Sequence, residues 1–77
     1  MVDGASGEIL ELLATADLAL PPTAIAVNLE RRGVDVSRRT VQRRLAELRD
    51  QGLVEKALDE KGYYRTTERG RAFVADE

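Results

Sequence analysis

The chain predicts a mainly α-helical domain of the α+β class: a three-helix core, a small β-hairpin and a short C-terminal helix. Three observations predict it. Apolar residues recur at helical spacing in three segments before Gly52. The pattern then becomes strand-like from Leu53 to Thr66, interrupted by the polar loop Asp59-Glu60-Lys61-Gly62. Thr67 and Glu68 then open a last helix, with Phe73 and Val74 as its expected anchors. With 77 residues in all, the chain reads as one domain. A chain this short buries only about 60% of its unfolded surface.

Met1 to Ala5 are expected to fray. The first helix, residues 6–16, starts with Ser6 as N-cap and Glu8 at the positive end of the dipole. Ile9, Leu10, Leu12 and Leu13 form its buried face. Leu18 to Leu20 is an apolar link able to pair as a strand. Pro21 and Pro22 open the second helix, residues 22–32, because proline's missing N–H would be unpaired in a first turn anyway. Ile25, Ala26 and Leu29 are its core residues and Gly33 ends it. Val34 and Val36 plug the gap before Ser37. Val27 falls on the face opposite Ile25, against a neighbouring element or a partner.

The third helix, residues 37–51, is the most informative segment. Ser37 suits the N-cap and Gly52 the stop. Val41, Leu45 and Leu48 make one apolar stripe at i, i+4 and i+7. Arg39 and Arg43 lie roughly opposite it, with Gln42 and Arg38 on the flanks. A buried stripe backed by guanidinium and amide groups suits a helix that docks on a scaffold and offers its other side to nucleic acid. From Arg31 to Arg49, seven arginines stand against Asp35 and Glu47, a local charge of +5 in a chain of net −2. Such a patch steers polyanions even where net charge does not.

Composition excludes more than it proposes. There is no cysteine and no histidine, hence no disulfide, no thiolate site and no imidazole base. No apolar run approaches the ~18 residues of a membrane span, and no signal-peptide pattern is present, so a cytoplasmic protein is expected. Glycine-rich phosphate loops and Ser–His or Cys–His pairs are absent. Paired carboxylates such as Glu8 and Glu11 fall on solvated faces, so enzyme activity, a cofactor and a bound small molecule are not expected. Ten of the twelve basic residues are arginine. Acidic residues with little lysine suit a high-salt cytoplasm.

The run Ser37-Arg38-Arg39-Thr40-Val41, with Leu45, Leu48 and Gly52-Leu53-Val54, resembles the recognition-helix signature of winged helix-turn-helix regulators. Ala24-Ile25-Ala26 through Leu29 looks like their second helix, and Thr66-Thr67-Glu68-Arg69-Gly70-Arg71 resembles the T-x-x-G that follows their wing. The turn from Arg32 to Val36 is similar to N-terminal domains of archaeal nitrogen-regulation repressors. The run from Gly62 to Thr66 is similar to haloarchaeal phage-repressor-like proteins. The likeness covers about residues 8–75. It implies a third helix in the major groove of double-stranded DNA and a wing, residues 53–66, near the adjacent backbone. It also implies a transcriptional regulator, often homodimeric or part of a larger chain; some members are protein-interaction modules instead.

The first half of such a helix reaches base edges. Arg39 and Arg43 suit guanine, and Gln42 suits adenine. Arg38 is placed for a phosphate, and Ser37 and Thr40 offer hydroxyls beside the helix N-terminus. Arg44 could pair with Glu47 or Glu30, and Arg49 suits the negative end of the dipole. Thr23 starts the second helix and could touch a phosphate. In the wing, Lys61, Lys56 and Arg65 are the candidate backbone contacts, although Asp59 and Glu60 flank Lys61. Of Tyr63 and Tyr64, one is expected inside and one outside. The rival functions are a protein-interaction domain and RNA binding. Few aromatic residues are available to stack bases, which disfavours RNA.

Overall fold

A computed structural model of the chain describes residues 4–58 and 62–75. Its elements are α1 Gly4–Ala16, α2 Pro22–Arg31, α3 Arg38–Asp50, β1 Val54–Leu58, β2 Tyr63–Thr66 and α4 Glu68–Ala75. Among the described residues the fold is thus four helices with one two-stranded antiparallel sheet.

Helix α1 is the central support. It packs on α2, α3, α4 and β2, and it supplies Ile9, Leu10, Leu12 and Leu13 to the core. Ile25 and Leu29 of α2, Val41, Leu45 and Leu48 of α3, and Leu53 and Val54 complete that cluster. Leu10, expected on the buried face of α1, is fully buried within it. Val34 and Val36, in the turn between α2 and α3, pack against the cluster's edge.

Helix α1 begins at Gly4, so Gly4 and Ala5 are helical rather than frayed, and Ser6 is not the cap. Ser6 shares the inward stripe with Leu10 and Leu13, at i, i+4 and i+7, and is buried there. It thus lies inside the helix, on the face that packs. Helix α2 ends at Arg31, and Arg32 becomes its C-cap. Gly33, at φ +85°, donates to the Glu30 carbonyl while Val34 donates to Leu29. Helix α3 ends the same way. Gly52, at φ +75°, donates to Arg49 and Leu53 donates to Leu48. Both are Schellman closures, which need a residue at ease in the left-handed region. Asp17 takes that conformation after α1, at φ 53°.

The hairpin register is Val54 opposite Thr66, Glu55 opposite Arg65, and Lys56 opposite Tyr64, with an irregularity before Leu58 opposite Tyr63. Of the apolar link before α2, only Leu20 pairs. Its N–H donates to the Tyr64 carbonyl at 2.8 Å and its carbonyl accepts from Tyr64 at 2.9 Å. Leu18 is 61% exposed. The expected division between the tyrosines is weaker than alternation suggests. Tyr64 packs on the core, and Tyr63 is also half-buried.

The base of the hairpin is latched to α4. The Thr67 N–H donates to the Leu53 carbonyl at 3.1 Å, and the Thr66 hydroxyl donates to the same oxygen at 3.2 Å. The Thr67 hydroxyl donates to the Gly52 carbonyl at 2.7 Å and accepts from the Gly70 N–H at 3.0 Å, capping α4. Gly70 is the buried residue of α4. A Cβ there would lie 2.1 Å from the Leu53 carbonyl oxygen. Phe73, expected as an anchor, is instead 38% exposed. The inward line of α4 is Gly70 and Val74, and Phe73 is rotated from Val74 by about 100°.

Candidate nucleic-acid interface

Helix α3 has two opposed faces. Val41, Leu45 and Leu48 are buried against α1 and α2. Arg38, Arg39, Gln42, Arg43, Ala46 and Arg49 are exposed. The buried stripe fixes the rotation of the helix, so the outward set is presented by a rigid element rather than a loop.

The N-terminus of α3 is held by Ser37. Its hydroxyl oxygen accepts from the Thr40 N–H at 3.1 Å, and its proton goes to the Thr40 hydroxyl oxygen at 3.1 Å. Ser37 is therefore committed to the cap. The Thr40 hydroxyl still has its own proton to donate. Arg38 and Arg39 occupy the first turn, where the dipole is positive and no acidic residue offsets it.

The arginines sort by partner. Among the described residues, Arg38, Arg39, Arg43 and Gln42 make no side-chain hydrogen bond or ion pair. Arg44 is different: its Nη1 lies 3.0 Å from Glu47 Oε1, which selects Glu47 over Glu30. Arg49 is the basic residue of the last turn. Charge is therefore graded along the helix, with cations alone in its first half and Glu47, Arg49 and Asp50 in its second.

The hairpin offers less free charge than its sequence suggests. Arg65 donates from Nε to Glu55 Oε2 at 2.7 Å, across the strand pair. Both side chains are about half exposed, so the pair contributes at most about 1 kcal/mol and can be broken by a competing phosphate. Lys56 holds its Nζ 5.8 Å from the centre of the Tyr64 ring, its cross-strand neighbour. Lys61 lies outside the described residues. Thr23, in the first turn of α2, is exposed.

Sequence reasoning missed two contributors. Ala46 is exposed on the outward side of α3, and nothing in its type marks it. Glu55 engages a candidate wing cation, and only the strand register reveals the pair. A second surface lies between the end of α3 and α4, lined by Asp50, Gln51, Leu53, Arg69, Ala72 and Phe73. Val27 is also exposed, at 52%, on the outer side of α2. Among the described residues, no cluster of three metal-binding side chains occurs, and no helix is long and apolar enough to cross a membrane.

These features define a small, mostly helical domain that carries a two-stranded hairpin and an arginine-faced helix. The profile of the HVO_A0261 N-terminal domain matches residues 8–77. The chain belongs to that haloarchaeal domain family. No curated protein and no solved structure matches it.

Proposed function

We propose that this chain is a winged helix-turn-helix domain that binds double-stranded DNA sequence-specifically, as part of a cytoplasmic transcriptional regulator. On this reading α2, the turn at Gly33 and α3 are the helix-turn-helix, and β1 and β2 are the wing. The observation that carries the reading is the outward face of α3. It bears exposed guanidinium and amide donors with no partner among the described residues, on a helix locked by its opposite face. Base readers must be both unengaged and rigidly aimed.

The reading includes self-association. The surface lined by Asp50, Arg69 and Phe73 combines a partly exposed aromatic ring with one charge of each sign. Neither charge has an ion-pair partner among the described residues. Under two-fold symmetry Asp50 of one copy can meet Arg69 of the other, so the patch complements itself. A second copy is the occupant we assign, and two copies would read two half-sites.

A protein-interaction domain without DNA binding is the second reading. The engaged hairpin cations Arg65 and Lys56 favour it. Fluorescence titration of the native chain and of Arg39→Ala/Arg43→Ala with duplex DNA across a salt series separates the two. Binding that weakens with salt and is lost in the folded variant supports DNA recognition. A folded native chain that ignores every duplex at low salt refutes it.

A further inference from the structure

We propose that Arg39 and Arg43 read a pair of guanines lying no more than two base steps apart, and that they are base readers rather than phosphate clamps. This rests on the DNA-binding reading and narrows it to a class of operator.

The two side chains are four residues apart on one exposed line of α3. At about 1.5 Å per residue their backbones are separated by about 6 Å along the helix axis. Successive bases rise by about 3.4 Å. Two forks that leave this line in parallel therefore fall about two base steps apart. A guanidinium matches guanine O6 and N7 with two parallel bonds. Both are free to do so, because neither is held by a carboxylate among the described residues, unlike Arg44 and Arg65.

Two further observations favour bases over phosphates. First, the composition is acidic and lysine-poor, with two lysines among twelve basic residues, as suits a high-salt cytoplasm. At about 1 M salt the screening length falls to about 3 Å, and phosphate contacts lose affinity as counterions cease to be released at a gain. What survives is direct contact with base edges. Second, Ala46 follows Gln42 and Arg43 on the outward side, exposed and small. It lets the helix lie close enough for the arginines to reach the groove floor, and it can meet a thymine methyl.

The test is selection from a randomised duplex library, using the native chain and Arg39→Lys/Arg43→Lys, followed by titration of the winners. Native selection should converge on duplexes with two guanines within two base steps. Replacing either guanine with a deaza analogue lacking N7 should weaken native binding by about tenfold. The lysine variant keeps the charge, so it should retain salt-dependent binding, but with a weaker guanine preference because an ammonium lacks the planar fork. Native winners without such a pair, or a lysine variant with undiminished preference, overturn the assignment while leaving DNA binding in place. A folded native chain that enriches no duplex overturns both.

Discussion

Replacing Gly70 with alanine sets two effects of opposite sign against each other. Alanine is the better helix former by about 1 kcal/mol, so propensity alone predicts a more stable protein. The structure predicts the reverse. The new Cβ would lie 2.1 Å from the Leu53 carbonyl oxygen and 2.3 Å from the Thr66 hydroxyl. Ordinary contact begins near 3.4 Å, so α4 must retreat by about 1.3 Å. The Leu53 oxygen is backbone and cannot swing aside. That retreat breaks the bonds to Leu53 from Thr66 and Thr67, at 3.2 and 3.1 Å, and strains the 2.7 Å bond from Thr67 to Gly52. Each contributes about 1 kcal/mol. Lost packing of α4 on α1 adds to this. Against the helix-propensity gain, the net loss is about 2–4 kcal/mol. A domain of this size has about 4–12 kcal/mol in total. At about 4–8 °C per kcal/mol, Tm should fall by about 10–30 °C. Thermal denaturation followed by circular dichroism measures it. Gly7→Ala is the control, because nothing lies within 4 Å of a Cβ there and its φ is not positive. It should raise Tm by a few degrees. A Gly70→Ala protein as stable as the native one would refute the close approach of α4 to Leu53.

Three further outcomes are expected. Ser37→Ala removes the N-cap of α3 and should lower stability by about 1 kcal/mol; an unchanged Tm would show that the 3.1 Å bond to Thr40 contributes nothing. Glu55→Gln releases Arg65 and should change stability by less than about 1 kcal/mol. If the hairpin meets phosphate, the same change should tighten DNA binding at low salt, whereas identical titrations would place the hairpin away from the backbone. Asp50→Arg and Arg69→Asp should each weaken self-association, and the double variant should restore it by re-forming the pair with signs exchanged. Sedimentation that finds all four proteins in the same state would remove the proposed two-fold contact.

What could be read from the chain differs sharply between helices and hairpin. The core residues of α1, α2 and α3 follow from apolar periodicity, because burial on a helix obeys spacing within one segment. Ser37 and Thr67 as caps, and Gly33 and Gly52 as stops, follow from local backbone needs. The hairpin is harder. Counting outward from the polar loop would set Glu55 opposite Thr66. The irregularity between Lys56 and Leu58 shifts the register by one, so Glu55 meets Arg65 and engages it. Ser6 and Phe73 mislead for a similar reason. A serine suits a cap and a phenylalanine suits a core, yet the rotation of each helix is set by its neighbours and not by residue type.

The helical core, the position of the strands, and a helix with an apolar face and an arginine face can all be read along the chain. These are properties of spacing and local charge within single segments. Which cations are unengaged, why position 70 must be glycine, and where Phe73 faces emerge on folding. Those depend on contacts between segments distant along the chain. Arg65 is engaged because β1 lies beside β2, and Gly70 has no room for a side chain because α4 rests on the carbonyl of Leu53.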